Sequence, residues 1–471
     1  MIDDSQALGW VIGAAVASVV AVAAFGALLT ATAAWHALLH RRHRHGPIRS
    51  AHGVPPTPLP VSVIMVERED DPGVADRLEG FLALDYPAFE VIVVCDGPIG
   101  AHLARALTRF HATPADLIYR PVIPTARVAA CYHGSTTPTL VVLEKERTTA
   151  ADALNAGINA ARSPYVCVVG PRAMLERAAL ARLMAPVMED PDRVVATAGI
   201  ERVLNGCGVT GGEVAAIACP SRAAVVWAVL DGLRAALAAT GLSPLAGLVP
   251  RPGGCVLAQK RAILRVGGFE PGGAEPTDIL FRIRRGLAGE RLPRRTVFVP
   301  EPVAWSPVPD TLAGAAEAYR ARARDTLGCL AGQVRRTRMS LREIGWALFV
   351  LARGLGLAGP VADVGGAAVV TAAFLAGEAD FTALLVVWMC VLAARTAVSS
   401  AAILFHDATL KRYPAWQDVG RLFVAAFLEP IVFRPLTAVW TVQAGWGALR
   451  GARTAKANTA TASSSTARQP A

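Results

Sequence analysis

The apolar run Phe89-Glu-Val-Ile-Val-Val94 ends in Cys95-Asp96-Gly97-Pro98. A carboxylate directly after a buried strand can accept hydrogen bonds from a ligand, and the glycine beside it lets that ligand approach the backbone. The other role open to Asp96 is the N-cap of a helix that follows it. An earlier run, Val61-Ser-Val-Ile-Met-Val66, ends in the charged turn Glu67-Arg-Glu-Asp-Asp71. Glu67 then borders the same pocket, unless the turn is a solvated acidic loop. A third run, Tyr165 to Val169, leads into Gly170-Pro171-Arg172. A guanidinium is permanently charged and grips phosphate oxygens through two parallel hydrogen bonds. Just past a strand end, Arg172 either faces the crevice of Asp96 or points to water. Farther on, Arg320, Arg322 and Arg324 lie in an Arg- and Ala-rich stretch from Leu312 to Arg336. At 3.6 residues per turn Arg322 and Arg324 stand about 200° apart, whereas Arg320 and Arg324 share a face.

These residues need a scaffold that brings strand ends together. Buried β-branched runs alternating with helices, without hairpin turns between them, predict a parallel sheet with crossover helices. Further strands are expected at Asp116 to Arg120, Thr139 to Leu143 and Tyr165 to Val169. A helix should start near Thr148 or Thr149 and stop at Ser163-Pro164. After Met174 the composition turns helical, over Leu175 to Met188 and Glu213 to Ala239.

Of 471 residues, 53% are hydrophobic and only 18% charged, a balance that excludes a purely soluble protein. Ala7 to Leu39 contains no Asp, Glu, Lys or Arg, and so is long enough to cross a hydrocarbon core. The acidic start at Asp3 and Asp4 argues against a cleaved signal peptide. The run His40-Arg-Arg-His-Arg-His45 follows, which places the chain after it in the cytoplasm. Residues 46–60 form a Pro-rich linker. Apolar segments resume at Ile344 to Leu375, Phe381 to Phe405 and Leu422 to Leu449. Arg353 and Asp363 in the first, and Glu429-Pro430 and Arg434 in the last, rule out simple spans there. The expected organisation is an anchor (1–45), a linker (46–60), a cytoplasmic α/β domain (61–336), membrane helices (340–449) and a disordered tail (450–471). The net charge of +10 lies largely beside the bilayer, where anionic lipid and not nucleic acid is the partner. The eight cysteines show no C-x-x-C spacing and read as reduced thiols.

Val61-Ser-Val-Ile64, Tyr86-Pro-Ala-Phe-Glu-Val-Ile-Val-Val-Cys-Asp96-Gly97, Ala153-Leu-Asn-Ala-Gly157, Gly253-Gly254 through Val266-Gly-Gly-Phe269, Asp278 to Arg282, Pro309-Asp-Thr311 and Arg322-Ala-Arg324 follow one another in a specific order. Over roughly residues 60 to 330 this order resembles the family 2 glycosyltransferases, in particular the membrane-embedded cellulose, chitin and poly-N-acetylglucosamine synthases. The resemblance implies a GT-A-like α/β fold: a mostly parallel sheet with flanking helices, plus N- and C-terminal transmembrane helices. It also implies a multi-pass protein of a bacterial-type inner membrane with a cytoplasmic catalytic domain. The activity it implies is transfer of a sugar from a nucleotide diphosphate sugar to a lipid or polysaccharide acceptor at the inner membrane face. Glu67, Asp96, Gly97, Arg172, Arg322 and Arg324 would then bind the nucleotide sugar, with Asp96 helping to hold the base.

Three family motifs depart from this pattern. The strand ending at Val169 should lead into an Asp-x-Asp that ligates the metal on the donor diphosphate, and Gly170-Pro171-Arg172 stands there instead. The divalent metal typical of the family therefore has no ligands here, and no metal cofactor is expected. The family's general base, an Asp after a Glu and six residues before an Arg, falls on Pro276, leaving Glu275. Asp278 can take the role by hydrogen-bond reach, or it is a carboxylate favoured at a helix N-terminus. The Gln-x-x-Arg-Trp signature falls on Ala321-Arg-Ala-Arg-Asp325, where only Arg324 matches. Eroded together, these motifs also admit a catalytically inactive relative that serves as a binding or assembly partner in envelope polysaccharide production.

Overall fold

The computed structural model describes residues 13, 24, 26–28, 30–35, 58–116, 121–246, 255–270, 279–280, 282–283, 286, 294–336, 344–410, 413 and 415–448. Most of the expected first span, the basic run after it, nearly all of the linker, most of the strand expected at 116–120, Glu275, Asp278 and the tail lie outside the described residues. The chain divides into two compact units. One comprises Ala27–Val308 with Ser399–Phe423, and the other Pro309–Val398 with the two termini, Met1–Gly26 and Val424–Ala471.

Among the described residues the first unit is a ten-stranded sheet with helices packed on it. In chain order it contains β1 (Val61–Glu67), α1 (Val74–Leu82), β2 (Phe89–Asp96), α2 (Ala101–Arg109), β3 (Thr113–Pro114), β4 (Val128–Gly134), β5 (Thr139–Lys145) and α3 (Ala150–Ala160). There follow β6 (Tyr165–Val169), β7 (Met174–Leu175), α4 (Ala179–Glu189), β8 (Val194–Val203), a small hairpin of β9 (Gly208–Thr210) and β10 (Glu213–Ala216), α5 (Ala223–Ala246), β11 (Cys255–Gln259), α6 (Lys260–Arg265) and β12 (Arg295–Ser306). The strand order is β3-β4-β5-β2-β1-β6-β11-β8-β12-β7.

Strands β5, β2, β1 and β6 are mutually parallel, as their alternation with helices predicts. Antiparallel strands extend the sheet on both sides: β4 pairs with β5, and β11 is inserted between β6 and β8. The β4–β5 hairpin escapes a sequence reading because Val128-Ala-Ala-Cys-Tyr-His-Gly134 is small-residue-rich and only partly buried, so it lacks the apolar run of its neighbours. Likewise Glu213 to Ala216 is a strand, and the helix expected from Glu213 begins at Ala223.

Alternate residues of the parallel strands, Val63, Met65, Val91, Val93, Leu140 and Val142, join Leu78, Phe81, Leu180 and Leu183 in one buried cluster. Helix α3 lies close on the sheet, since a Cβ on Gly157 would meet Ile64 Cγ2 at 2.7 Å and Val94 Cγ2 at 3.1 Å. Its start matches expectation: Thr149 is the N-cap, and its side chain accepts a hydrogen bond from Asp152 N.

The second unit holds α7 (Leu312–Arg336), α8 (Ile344–Leu375), most of α9 (Phe381–Leu410), the end of α10 (Trp416–Leu428) and α11 (Phe433–Ala448). Among the described residues, Ala223–Ser243, Gly356–Leu375 and Leu384–Asp407 are long and apolar enough to cross a membrane. The pair α10 and α11, bent by 62°, makes a fourth if counted as one span. The bend sits at Glu429-Pro430, where proline removes a helical donor. Helix α5 also packs on the sheet: Ala236 and Ala239 share a buried cluster with Ile200 and Phe298. Within the apolar helices Asp363 accepts from Arg395 Nη2 at 2.6–2.8 Å and from Arg434 Nε at 2.9 Å, and Arg434 Nη1 lies 3.5 Å from Glu429.

Candidate functional site

Four parallel strands end at the same edge of the sheet, which gathers Glu67, Asp96, Lys145 and the turn after Val169. Asp96 is 1% exposed. One carboxylate oxygen accepts from Lys145 Nζ and from Thr148 N, both at 2.9 Å. Arg68 Nε lies 3.0 Å from the other oxygen. Burial opposes the charge on Asp96, but Lys145, the Thr148 amide and Arg68 outweigh it and hold the carboxyl below its ordinary range. Lys145 is itself buried, and its ammonium also reaches Thr148 Oγ1 at 2.6 Å and Asp152 at 2.8 Å. Asp152 is lowered in the same way, burial being outweighed by hydrogen bonds from Lys145 and Thr148.

Asp96 therefore ties the end of β2 to the end of β5 and to the approach to α3. Helix α2 takes its cap from Asp70, whose carboxylate accepts from Ala101 N at 3.0 Å and His102 N at 2.8 Å. Asp96 Oδ1 is taken by two hydrogen bonds, whereas the buried Oδ2 has the ion pair to Arg68 and no hydrogen bond, so a base contact would fall on Oδ2. Gly97 has φ +127° and donates to Lys145 O at 3.0 Å, and a Cβ there would meet Arg147 Nε at 3.3 Å.

The acidic turn divides its work. Glu67 is buried and bonded to Arg77 Nη2 at 2.7 Å. Burial raises its pKa, with Arg77 offsetting only part of the effect. Asp71 also pairs with Arg77, and Glu69 pairs with Arg172. Arg172 is half exposed and held at φ +58°, in a turn closed by Ala173 N donating to Gly170 O at 3.2 Å. That conformation is uncommon without glycine, so the ion pair to Glu69 and the turn fix the guanidinium beside the end of β1.

Sequence reasoning placed Arg68 in the charged turn bordering the pocket without giving it a role, and missed Lys145 and Arg147. The available signal was Glu144-Lys-Glu-Arg147 directly after the apolar strand Thr139 to Leu143, the same pattern that singled out Asp96. It also missed the polar face of α3. Asp152 accepts from Ala126 N at 3.1 Å, and Asn159 accepts from Val122 N and Ile123 N, each at 3.1 Å. Asn155 makes a reciprocal pair with Phe269, accepting from its N at 2.8 Å and donating to its O at 2.9 Å. These residues, spaced i, i+3 and i+7, brace two loops against one helix. Gly268, at φ +75°, leaves room for this, since a Cβ would lie 2.4 Å from Asn155 Oδ1. Arg282 holds the same turn from the other side through Val266 O at 2.5 Å and Gly268 O.

Arg322 and Arg324 belong to the other unit. There α7 packs on α11 through Tyr319, whose hydroxyl is 3.2 Å from Thr441 Oγ1, and through Arg320, which donates to Gln443 at 3.0 Å. Arg324 is exposed and shares a face with Arg320, donating to its carbonyl at 3.4 Å. Among the described residues no three His, Cys, Asp or Glu side chains are grouped to hold a metal ion.

No protein-family model matches the sequence. No curated protein matches it either. Solved structures resemble it in chain trace. A mannosyltransferase from Pyrobaculum calidifontis, in complex with GDP-Man and Mn2+, is 19% identical with a TM-score of 0.48, covering 87% of this chain and 99% of its own. S. aureus TarS 1-349 with UDP-GlcNAc is 12% identical with a TM-score of 0.38, covering 79% and 91%. Glucosyl-3-phosphoglycerate synthase from Mycobacterium tuberculosis, with Mn2+, UDP-glucose and phosphoglyceric acid, is 14% identical with a TM-score of 0.33, covering 57% of this chain and 79% of its own. Similarities of this size identify no activity.

Proposed function

We propose that this chain is a membrane-bound, GT-A-like family 2 glycosyltransferase. It takes a sugar from a nucleotide diphosphate sugar to a lipid or polysaccharide acceptor at the cytoplasmic face of a bacterial-type inner membrane. The observation that carries this reading is the convergence of Glu67, Asp96-Gly97 and Arg172 at the carboxyl ends of adjacent parallel strands, the place where open α/β sheets hold ligands. Arg172 stands where the family holds a metal, so in this reading a guanidinium replaces the cation on the leaving diphosphate. In this reading Asp278 or Glu275 serves as base.

The test is a titration of the full-length protein with UDP, GDP and TDP in excess EDTA, repeated with Mg2+ or Mn2+ and on Arg172→Ala. Binding without metal that is lost in the variant supports the reading, and binding that demands a divalent ion overturns the role of Arg172. Asp96→Ala should weaken nucleotide binding by about 1–3 kcal/mol if the carboxylate also reaches the base. Unchanged affinity would restrict it to the strand-end network described above. A second reading, an inactive binding or assembly partner for envelope polysaccharide production, is favoured by Pro276 at the base position and by the loss of the Asp-x-Asp. Nucleotide binding without turnover of any nucleotide sugar would select it.

A further inference from the structure

We propose that Arg68 and Arg147 form, with Arg172, a pre-built clamp for the diphosphate of a nucleotide. This inference rests on the nucleotide reading above and adds two residues to it. Arginines on a surface ordinarily sample many rotamers, and fixing one on a ligand has an entropic cost. At this edge that ordering is already in place. Arg68 is held by Asp96 at 3.0 Å and by Thr148 O at 3.2 Å, yet its side chain is still 45% exposed. Arg147 is exposed too, and donates to Asp96 O at 3.2 Å and to Arg68 O. Arg172 is fixed by Glu69, the neighbour of Arg68.

The three guanidiniums thus form a linked rim around the ends of β1, β2, β5 and β6. Lys145 meets both Asp96 and Asp152, one cation against two carboxylates, and Asp96 also faces Arg68, so the three positive charges of the rim are offset in part by Asp96 and by Glu69. Each guanidinium has five N–H donors, and the hydrogen bonds named here engage one of them on Arg68, whose Nε makes an ion pair with Asp96, and two on Arg147. Donors remain for phosphate oxygens without breaking the scaffold. Gly97 keeps the approach to Arg147 narrow and free of a side chain.

The experiment is calorimetric titration of the full chain in detergent and EDTA with GDP, GMP and guanosine, and with the uridine series. The clamp predicts that one diphosphate binds at least tenfold tighter than its monophosphate. Arg68→Ala and Arg147→Ala should each lower diphosphate affinity by a factor of about 10 to 100, the range for hydrogen bonds to charged groups, and leave nucleoside affinity within about twofold. Arg68→Lys and Arg147→Lys keep the charge, lose the fork, and should fall between. They also serve if the alanine variants do not fold. A nucleoside that binds as well as its diphosphate, or Lys variants that bind like the parent, overturns the clamp and leaves the nucleotide reading standing. Failure of every nucleotide and nucleoside to bind overturns both.

Discussion

Two buried ion networks sit in this chain, and they are built differently. At the sheet edge, Lys145 and Asp96 are surrounded by the amide and hydroxyl of Thr148, the Glu146 carbonyl and a second carboxylate, Asp152, so that the loop leaving β5 replaces hydrogen bonds lost to water. Among the apolar helices, Asp363 faces Arg395 and Arg434, Glu429 is a further carboxylate beside Arg434, and the helix backbones are already bonded to themselves. The first network rests on secondary-structure ends, where free amides are available. In the second the contacts named run between side chains. The contrast teaches that local backbone supply decides how far a buried charge depends on any single partner.

That difference can be broken experimentally. Asp363→Ala removes the one carboxylate shared by two arginines, and should destabilise the protein by about 3–5 kcal/mol, read as a fall in the unfolding midpoint in detergent. A loss under about 1 kcal/mol would mean that water reaches the cluster. Lys145→Met should cost somewhat less, about 2–4 kcal/mol, because Asp96 keeps the Thr148 amide and Arg68. Adding Asp96→Asn to Lys145→Met should recover part of the loss, and strict additivity in the double-mutant cycle would deny the pairing.

Acid separates the groups further. Asp96 and Asp152 have folded pKa values below their ordinary 3.8, so their stabilisation is complete above about pH 4 and is lost as pH falls through the depressed values. Glu67, raised by burial, has the opposite sign: its ionised form is the disfavoured one, and its protonation on acidification relieves the fold. A stability–pH curve should therefore fall only below about pH 4 and flatten in Asp96→Asn. The smallest effect is expected at Arg172→Gly, where relief of the left-handed backbone should offset part of the lost Glu69 pair. The net change in stability should stay within about 1 kcal/mol, with the phosphate-binding consequence measured separately.

Much of the α/β unit was legible because apolar runs of fixed length carry their own burial. Phe89 to Val94 and Tyr165 to Val169 are strands where they were expected, and Thr149 caps the helix that its spacing announced. Helices Ile344–Leu375 and Phe381–Leu410 were legible for the same reason. The strand Val128–Gly134 was not, since a half-buried edge segment rich in small residues has no pattern that distinguishes it from a loop.

The sequence by itself determined that Glu67 and Asp96 lie at strand ends and that Gly170-Pro171-Arg172 places a positive charge after the strand Tyr165–Val169. It also determined that the C-terminal half is apolar enough for a membrane. Only the tertiary structure decided whom those residues meet. Asp96 and Lys145 are separated by 49 positions, and Arg172 and Glu69 by 103. Their pairing follows from the order β5-β2-β1-β6, a product of crossover connections and sheet register. A one-dimensional pattern records how strongly each segment is driven to be buried, whereas the partners of a buried charge are fixed by which strands lie side by side.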